Sequence, residues 1–413
     1  MAHFALISPP YFSHLRVFEA LGTALVRRGH RATFLVGGAE PAVRGLPIVA
    51  LGTGEGPRVL ANAARPSGPL GILRTVADSA RITDLLCAGG PDALARIGAD
   101  AVIGDQVEPA AGLLAGYLGL QHVSLACGLP VNRAPGVPLP FVGWRYDPSP
   151  KGVEWIEGGE RVVRLLLAQQ RRTIEAWSDR FGLARRSDLE ACLSPDLQIA
   201  QISRAFDFPR PEPASFHAVG RIRGVGDAQP LGFEPDPARP FVFASFGTLQ
   251  GGRARLFRAI AAACRAVGAQ LLVAHCGLLT PAQAASIGAD HVTDFAPQDA
   301  VLARADLCIT HAGLNTVLDA LAAGVPLVAL PIAFDQPGVA ARIVHHGVGE
   351  RIAAWRASPR HLADLIGRLL RDHGYRGRAA MQSQALNEAG GTERAADLIE
   401  SALPRHIRKL ART

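Results

Sequence analysis

Residues 294–336 combine short apolar strands, a tight turn and a helix in an order that few folds accommodate. An aromatic residue and a Pro turn come first. They are followed by a strand over residues 306–310, the turn 311–313, a helix from about Asn315 and a second apolar strand over residues 325–330. An Asp-Gln pair closes the segment. Strand ends and a helix N-terminus therefore meet at one place, where backbone N–H groups and the helix dipole favour an anion such as a diphosphate.

Strands and helices alternate in the same way along the rest of the chain. The opening has a strand over residues 4–8, a helix with an apolar stripe and a second strand over residues 32–36, which is typical of a parallel sheet. A new sheet is predicted to begin at residues 241–245. The 413-residue length allows two cores, so we predict an α/β fold with two Rossmann-like, doubly wound parallel-sheet domains facing across a cleft.

The predicted domain boundaries follow from composition. Leu197 to Ile202 is expected to form the last strand of the first domain, and a passage rich in Pro and Gly follows it. The predicted units are an N-terminal domain (1–215), a linker (216–240), a C-terminal domain (241–390), and a C-terminal helix with a basic tail (391–413).

Composition and charge narrow the range of partners. The chain has 48% hydrophobic and 19% charged residues, as expected of a globular protein. Its net charge of +7 comes from scattered Arg residues, so we expect no nucleic-acid partner and at most a weak affinity for anionic membranes. The six Cys form no CxxC pair, and neither a basic leader nor an apolar run of membrane-spanning length is present. We therefore expect a cytoplasmic protein that could lie at the inner membrane face as a peripheral one.

His14 follows the first strand, at the start of the next helix. Open α/β sheets place ligand-facing residues there, beyond the carboxyl ends of their strands. An isolated histidine at a helix start is more often a cap or a surface residue, but Asp105 ends another apolar strand on the same rim. Its carboxylate could accept a hydrogen bond from Nδ1 of His14 and make the imidazole a stronger base. It could equally cap the helix that follows, so the residues alone leave both interpretations open.

The two halves differ in their first loops. The first loop of the N-terminal half, SPPYFSH, contains no glycine, whereas FGTLQGGR in the second half does. Glycine lets the backbone approach a phosphate closely, and Ser245 and Thr248, on either side of Gly247, can donate to phosphate oxygens. Nucleotide binding is therefore expected in the second half, although this loop is a weak motif by itself.

Apolar loops in the first half predict a lipophilic acceptor. Residues 59–87 and 129–146 are rich in Pro, Leu and aromatic residues and lie beyond strand ends, where loops often form pockets. The candidate pocket residues are Phe12, Phe141 and Trp144; ordinary packing of these loops is the alternative. Residues 161–172 form a basic amphipathic pattern, which suits either a membrane-surface helix or, more commonly, a solvated helix face.

Four short elements in order, FAPQ, HAGLNTVLD, GVPLVALP and FDQ, resemble the inverting, nucleotide-sugar-dependent glycosyltransferases of GT-B architecture. Stretches such as SPPYFSHLR and VIGDQVEPAAGLLAGYLGL are similar to the bacterial members that glucosylate carotenoids. The resemblance implies that UDP-glucose is the co-substrate and that no cofactor or metal is needed. It implies contacts to the base from Phe295 and Ala296, to the ribose from Gln298 and Asp319, to the diphosphate from His311, Gly313, Asn315 and Thr316, and to the sugar from Asp335 and Gln336.

Two of these positions differ from the common pattern of the family. Phe295 stands where many members have a Trp that stacks on the base, and Asp319 stands where many have Glu. A smaller ring stacks over less area, and a shorter acid has less reach.

The resemblance also implies a mechanism. His14 would be the general base and Asp105 the carboxylate behind it, and a single in-line displacement would give a β-glucoside. Zeaxanthin is the expected acceptor. A macrolide, sterol or polyketide acceptor remains an alternative, as does a protein that binds nucleotide sugar without transferring it. A two-domain dehydrogenase is not expected, because neither half has GxGxxG with a ribose-binding acid at the usual distance.

Overall fold

The computed structural model describes residues 1–38, 43, 45–64, 68–224 and 230–403. Within them the chain forms two parallel sheets, one of seven strands and one of six. The first, ordered β3-β2-β1-β4-β5-β6-β7, contains β1 (His3–Ile7), β2 (Arg31–Gly37), β3 (Ile48–Leu51), β4 (Ala101–Asp105), β5 (Gln121–Ala126), β6 (Gln198–Ala200) and β7 (Phe216–Ala218). The second, ordered β10-β9-β8-β11-β12-β13, contains β8 (Phe241–Ser245), β9 (Gln270–Ala274), β10 (His291–Thr293), β11 (Leu307–Thr310), β12 (Leu327–Ala329) and β13 (Gly349–Arg351).

Helices cover the faces of both sheets. The N-terminal domain has α1 (Phe12–Arg27), α2 (Gly56–Ala64), α3 (Gly68–Ile97), α4 (Ala110–Leu118), α5 (Pro150–Leu166) and α6 (Ala168–Arg180). The later part of the chain has α7 (Gly247–Gln250), α8 (Ala254–Ala266), α9 (Pro281–Ala285), α10 (Gln298–Leu302), α11 (Leu314–Ala322), α12 (Gln336–His345), α13 (Pro359–Arg371), α14 (His373–Glu388) and α15 (Gly391–Ala402). Short 3₁₀ turns occur at Thr53–Glu55, Glu190–Cys192 and Ala354–Arg356. The predicted pair of Rossmann-like domains is confirmed.

Burial explains why these segments form parallel sheets. Every residue of β1, β4, β8 and β9 is buried, because helices cover both faces of a parallel sheet and the strands must be apolar on both sides. The predicted stripe of α1, with Leu15, Phe18 and Leu25, is buried against the first sheet. Both sheets reverse their strand order beside the first strand of each domain, which opens a crevice at the carboxyl ends of the strands.

Three local predictions were wrong or incomplete. Leu197 to Ile202 does not hold the last strand of the first sheet, because β7 follows it and occupies the first three residues of the predicted linker. The edge strands β3 and β13 were not predicted at all. The basic stretch 161–172 is not one helix, since α5 ends before Leu167 and α6 begins after it. Parts of the predicted insertion (65–67), linker (225–229) and basic tail (404–413) lie outside the described residues.

The chain returns to the N-terminal domain at its end. Ala395, Ala396 and Ile399 of α15 join the core of the first domain beside α1. Arg28 pairs with acidic side chains of α15, including Glu393. The predicted C-terminal helix therefore belongs structurally to the first domain.

The two segments that pass between the domains are joined to each other. The amide of Gly391 donates to the carbonyl of Val219. Thr392 Oγ1 accepts from the amide of Arg223 and donates to the Arg223 carbonyl, at 2.9 and 2.8 Å. The outgoing and returning chains thus form one double connection.

Among the described helices, none combines the length and apolar character needed to cross a membrane.

Candidate active site

His14 and Asp105 meet at the carboxyl edge of the first sheet. Asp105 is the last residue of β4, His14 lies in the first turn of α1, and β1 and β4 are adjacent strands. Nδ1 of His14 is 2.7 Å from Oδ2 of Asp105, whose side chain is only 1% exposed, while that of His14 is 19% exposed. An ionised carboxylate only accepts, so Nδ1 carries the proton and Nε2 is left with its lone pair. This is the protonation state of a general base.

The surroundings of His14 set its proton affinity. Burial acts to lower its pKa, but the Asp105 carboxylate, with a smaller contribution from Asp335, outweighs this, so the pKa of His14 is raised above its ordinary value. Burial raises the pKa of the neighbouring Cys127 thiol strongly, which leaves the thiol protonated and unreactive. Ligand atoms of His14, Asp105 and Cys127 lie within 4.8 Å of one another, so a soft divalent cation could use them only by displacing the His14–Asp105 hydrogen bond.

Asp335 reaches this edge from the opposite domain. It precedes α12, and its Oδ2 accepts from the amide of Leu129 at 3.1 Å, across the cleft. Burial raises the pKa of Asp335, although the Leu129 N–H and His14 oppose the rise. The side chain of Gln336 is buried and turned back, with Oε1 accepting from the amides of the loop before it. The pair predicted to hold the sugar therefore lies opposite the candidate base.

The tight turn after β11 presents His311. Ala312 has φ 65° in this turn, a left-handed conformation that costs energy for a residue with a side chain and is typical of functional sites. Gly247 (φ 66°) lies on one side of the His311 ring, and Gly313 on another; a Cβ at these positions would stand 3.0 and 2.6 Å from ring atoms. Burial lowers the pKa of His311 to about 4, so the imidazole is neutral and acts as a hydrogen-bonding group rather than a cation.

The N-terminus of α11 is open to a ligand. Gly313 is its N-cap residue and makes no side-chain capping hydrogen bond, which leaves the first backbone N–H groups, including those of Asn315 and Thr316, facing the cleft edge. The side chain of Asn315 bridges the domains instead: Nδ2 donates to the carbonyl of Ser13 at 2.9 Å, and Oδ1 accepts from Gln201 at 2.7 Å. Backbone groups therefore remain for the diphosphate while the side chain fixes the helix to the first domain.

Asp319 lies one turn into α11 and is buried, not solvent-facing. Its Oδ2 accepts from Gln298 at 2.6 Å, and its Oδ1 contacts Arg223 at 2.9 Å and Arg221 at 3.2 Å. Arg223 also donates to the carbonyl of Asn315 and to the side chain of Gln201. The two predicted ribose contacts thus lie side by side, held by cations from the interdomain connection.

The remaining donor-side predictions are placed at the same edge. Ser245 ends β8, is buried, and its Oγ accepts from the amide of Gly247; Thr248 follows in α7 and is half-buried. Phe295 is 66% exposed, and Ala296 beside it is half-buried. An aromatic ring this exposed has a face available for stacking.

The three predicted acceptor residues lie in different parts of the first domain. Phe12 is exposed on α1, and Phe141 is half-buried in the loop after β5. Trp144 packs against α5, with its ring centroid 6.0 Å from that of Trp155, and lines a cavity of about 420 Å³ with Trp155 and Arg351. Assignment of these three residues to an acceptor pocket stays a prediction.

The family model for UDP-glucoronosyl and UDP-glucosyl transferases matches residues 168–388. This is more than half of the chain, and it includes every donor-side residue described above. The chain belongs to this family. It is therefore a sugar-transferring enzyme with a nucleotide-sugar donor and a separate acceptor.

Individual members of the UDP-glycosyltransferase family resemble the whole chain. Zeaxanthin glucosyltransferase of Pseudescherichia vulneris is 44% identical over 98% of both chains. Zeaxanthin glucosyltransferase of Pantoea ananas is 42% identical over 98% of this chain and 96% of its own. The crystal structure of CalG4, the calicheamicin glycosyltransferase, matches with a TM-score of 0.77 at 24% identity, covering 98% of this chain and 99% of that one. This structural likeness shows the same GT-B fold.

Several residues of this glycosyltransferase site had no signal in the sequence. Gln201, Arg221 and Arg223 connect the first domain to α11, but they lie outside the recognised motifs. Tyr11 is another, since its ring lies 5.8 Å from His14 and 6.0 Å from Phe334 of the opposite domain. The prolines of SPPYFSH marked this loop, but nothing in its pattern indicated a cross-domain contact.

Proposed function

We propose that this enzyme transfers glucose from UDP-glucose to a hydroxyl of zeaxanthin, with inversion at the anomeric carbon. The observation that carries the proposal is the His14–Asp105 pair, in which Nε2 of His14 has no hydrogen-bond partner among the described residues and lies opposite Asp335, beside the N-terminus of α11. The acceptor is supported by two relatives, named zeaxanthin glucosyltransferases, that match nearly the whole chain.

The proposed reaction is one displacement. Nε2 of His14 takes the proton of the acceptor hydroxyl while that oxygen forms a bond to the anomeric carbon. The bond from this carbon to the β-phosphate oxygen breaks, and UDP leaves with the electron pair. Attack opposite the leaving group converts an α-linked donor into a β-glucoside. General-base assistance of this kind is worth roughly 100- to 10,000-fold in rate.

Charge that develops on the leaving diphosphate needs stabilisation in the same step. Backbone N–H groups at the start of α11, its helix dipole and the neutral imidazole of His311 supply hydrogen bonds to it. We therefore propose that the reaction needs neither cofactor nor metal. Gln298 and Asp319 would orient the ribose, Phe295 and Ala296 would contact the base, and Asp335 and Gln336 would bind sugar hydroxyls.

Zeaxanthin is a long apolar molecule that dissolves in a bilayer, so the proposed enzyme works from the cytoplasm at the inner membrane face. The test is chromatography of pigments from cells that make zeaxanthin, with the wild-type enzyme, with a folded His14→Ala variant, and with neither. More polar glucosides should form only with the wild type. Absence of glucosides with the wild type, or near-normal amounts with His14→Ala, would contradict the proposal.

The donor has a separate measurement. Calorimetric titration with UDP-glucose and with TDP-glucose should show tighter binding of UDP-glucose. The two ligands share the diphosphate and the sugar, but they differ at the base, which Phe295 would contact, and at the 2′-hydroxyl of the ribose, which Gln298 and Asp319 would contact. Failure of both to bind would overturn the donor assignment.

The anomeric coupling constant of the isolated product distinguishes a β-glucoside from an α-glucoside, and an α-glucoside would refute a single displacement.

A further inference from the structure

Helix α5 exposes three large apolar side chains on one face. Trp155 is 69% exposed, Val162 60% and Leu165 75%. Their spacing of seven and three residues places them along one side of the helix, over a length of about 15 Å. Ile156, on the other side, is buried and holds the helix to the domain. A row of exposed side chains this apolar is typical of a surface that contacts another phase or molecule.

Cations lie beside this row and on the neighbouring flank of α5 that faces α6. Lys151, Arg161 and Arg164 of α5, together with Arg145 before it and Arg171 of α6, are exposed. Among the described residues no carboxylate lies within ion-pair distance of any of these five, whereas neighbouring Arg133 and Arg185 are paired. The exposed acids of the same region, Asp147, Glu154 and Glu157, are fewer than these five cations, so the surface around the row carries a net positive charge.

Two of these cations share a cavity that suits an anionic group. Arg164 and Arg171 line a space of about 360 Å³ between α5, α6 and the loop after α6. The acids that also line it, Glu175 and Asp188, are each paired with another arginine. A phosphate entering the space would meet two guanidinium groups that have no partner within the described structure.

The row is linked to the active site by one loop. Residues 127–147 begin where Leu129 contacts Asp335, next to His14, and they end at α5. Near that end Trp144 packs against Trp155 and lies directly over Gly159, where a Cβ would meet the indole at 2.0 Å. The loop that ends beside the exposed row therefore begins beside the candidate base.

We propose that α5 docks the enzyme on a membrane of anionic phospholipid. Trp155, Val162 and Leu165 insert at the level of the headgroups, while Arg161, Arg164 and Arg171 bind lipid phosphates. Trp is favoured at such interfaces because its ring is apolar with one polar edge, and basic residues nearby add attraction to anionic lipids. The purpose of the docking, delivery of a membrane-dissolved acceptor, rests on the proposed function, but the binding itself does not.

The experiment is sedimentation of the full-length enzyme with vesicles, without donor or acceptor. Vesicles of phosphatidylcholine with phosphatidylglycerol are compared with vesicles of phosphatidylcholine alone. The double variant Trp155→Ser, Leu165→Ser should bind the anionic vesicles about tenfold more weakly than the wild type, since two apolar side chains no longer enter the interface. Trp355→Ser is the matched control, because Trp355 is 84% exposed on the C-terminal domain and its loss should leave binding unchanged.

A second pair of variants tests the charges. Arg161→Gln and Arg164→Gln should each weaken binding about fivefold, and raised salt should weaken the wild type in the same direction. Arg360→Gln, an exposed cation of α13, is the control and should have no effect. Circular dichroism checks that each variant is folded.

The outcomes separate this inference from the proposed function. No binding of the wild type, equal loss for the α5 variants and their controls, or equal binding to neutral and anionic vesicles would overturn the docking proposal. Transfer to zeaxanthin dispersed in detergent is measured in parallel for each variant. Normal transfer without vesicle binding refutes docking alone, whereas specific vesicle binding without transfer supports docking and contradicts the proposed function.

Discussion

Replacing Asp105 by Asn should disable His14 without disturbing donor binding. The Asp105 carboxylate is buried and lies 2.7 Å from Nδ1 of His14. A buried hydrogen bond between charged groups contributes about 2 kcal/mol, or about 30-fold in rate if the transition state loses all of it. Asn has nearly the same shape, but its NH₂ can donate to Nδ1 and so favour the tautomer whose Nε2 carries the proton. That tautomer cannot act as the base, so we expect kcat to fall by about 100-fold or more.

Asp105→Asn should also shift the pH dependence of kcat/KM. His14 must be neutral to accept a proton, so activity is lost as pH falls through its pKa. Asp105 raises the pKa of His14 by stabilising the imidazolium. Its removal lowers that pKa, so the acid limb of kcat/KM should move to lower pH in the variant while the plateau falls.

Two comparisons make this test decisive. UDP affinity by calorimetry should not change, because the donor-side residues lie in the other domain. The double variant His14→Ala, Asp105→Asn should be no slower than His14→Ala alone, since both residues act through one proton transfer. The assignment of Asp105 as the partner of the base would be refuted if Asp105→Asn lowered kcat by the same factor in the His14→Ala background as in the wild type. It would also be refuted if Asp105→Asn left both the acid limb and the plateau of the kcat/KM profile unchanged.

Three further predictions concern the cleft and its support. Phe295→Trp should tighten UDP binding about fivefold by calorimetry, since the larger ring adds about 1 kcal/mol of stacking; unchanged affinity would exclude stacking on the base. Arg223→Gln should raise the KM for UDP-glucose about tenfold with kcat little changed, because it frees Asp319, and a fall in kcat alone would contradict this. Arg342→Leu should lower the free energy of unfolding by about 3 kcal/mol in urea, since it leaves the buried Asp207 carboxylate, 2.7 Å away, with less compensation; a stable variant would show the pair to be dispensable.

The meeting of His14 and Asp105 could be anticipated from the sequence because strand position determines it. Both residues stand at the carboxyl side of apolar strands, and parallel strands bring these ends to one rim. The HAG turn could also be predicted from the sequence, since a strand, a tight turn and a helix follow each other within a few residues. In both cases the order of neighbouring elements was enough for the prediction.

Contacts that depend on how the two domains are placed against each other could not be predicted from the sequence. Arg221 and Arg223 lie in a passage whose Pro and Gly content indicated only a linker, yet both meet Asp319 far along the chain. Strand β7 was hidden for a related reason, because Pro211 and Pro213 precede it and it is only three residues long. Short strands gain their stability from pairing with a neighbour and not from their own pattern.

The break at Leu167 has a tertiary cause. The stretch 161–172 contains neither Gly nor Pro, so its pattern favours a continuous helix. Trp177 of α6 is held by a 2.9 Å hydrogen bond from Nε1 to Asp84 of α3, and Ile174 is buried beside it. Packing against α3 therefore holds α6, whereas α5 contacts that helix much less.

The double connection between the domains limits how they can move. Because Gly391 and Thr392 are hydrogen-bonded to the segment from Val219 to Arg223, the two crossings lie side by side, and a rotation of one domain against the other would have its axis there. Such a rotation would open the cleft at the far side and change little beside the crossings. Arg223 belongs to one crossing and also contacts Asp319, so the predicted ribose contacts lie close to that axis. The nucleotide end of a donor would then stay engaged through an opening motion, while the candidate base and the sugar separate.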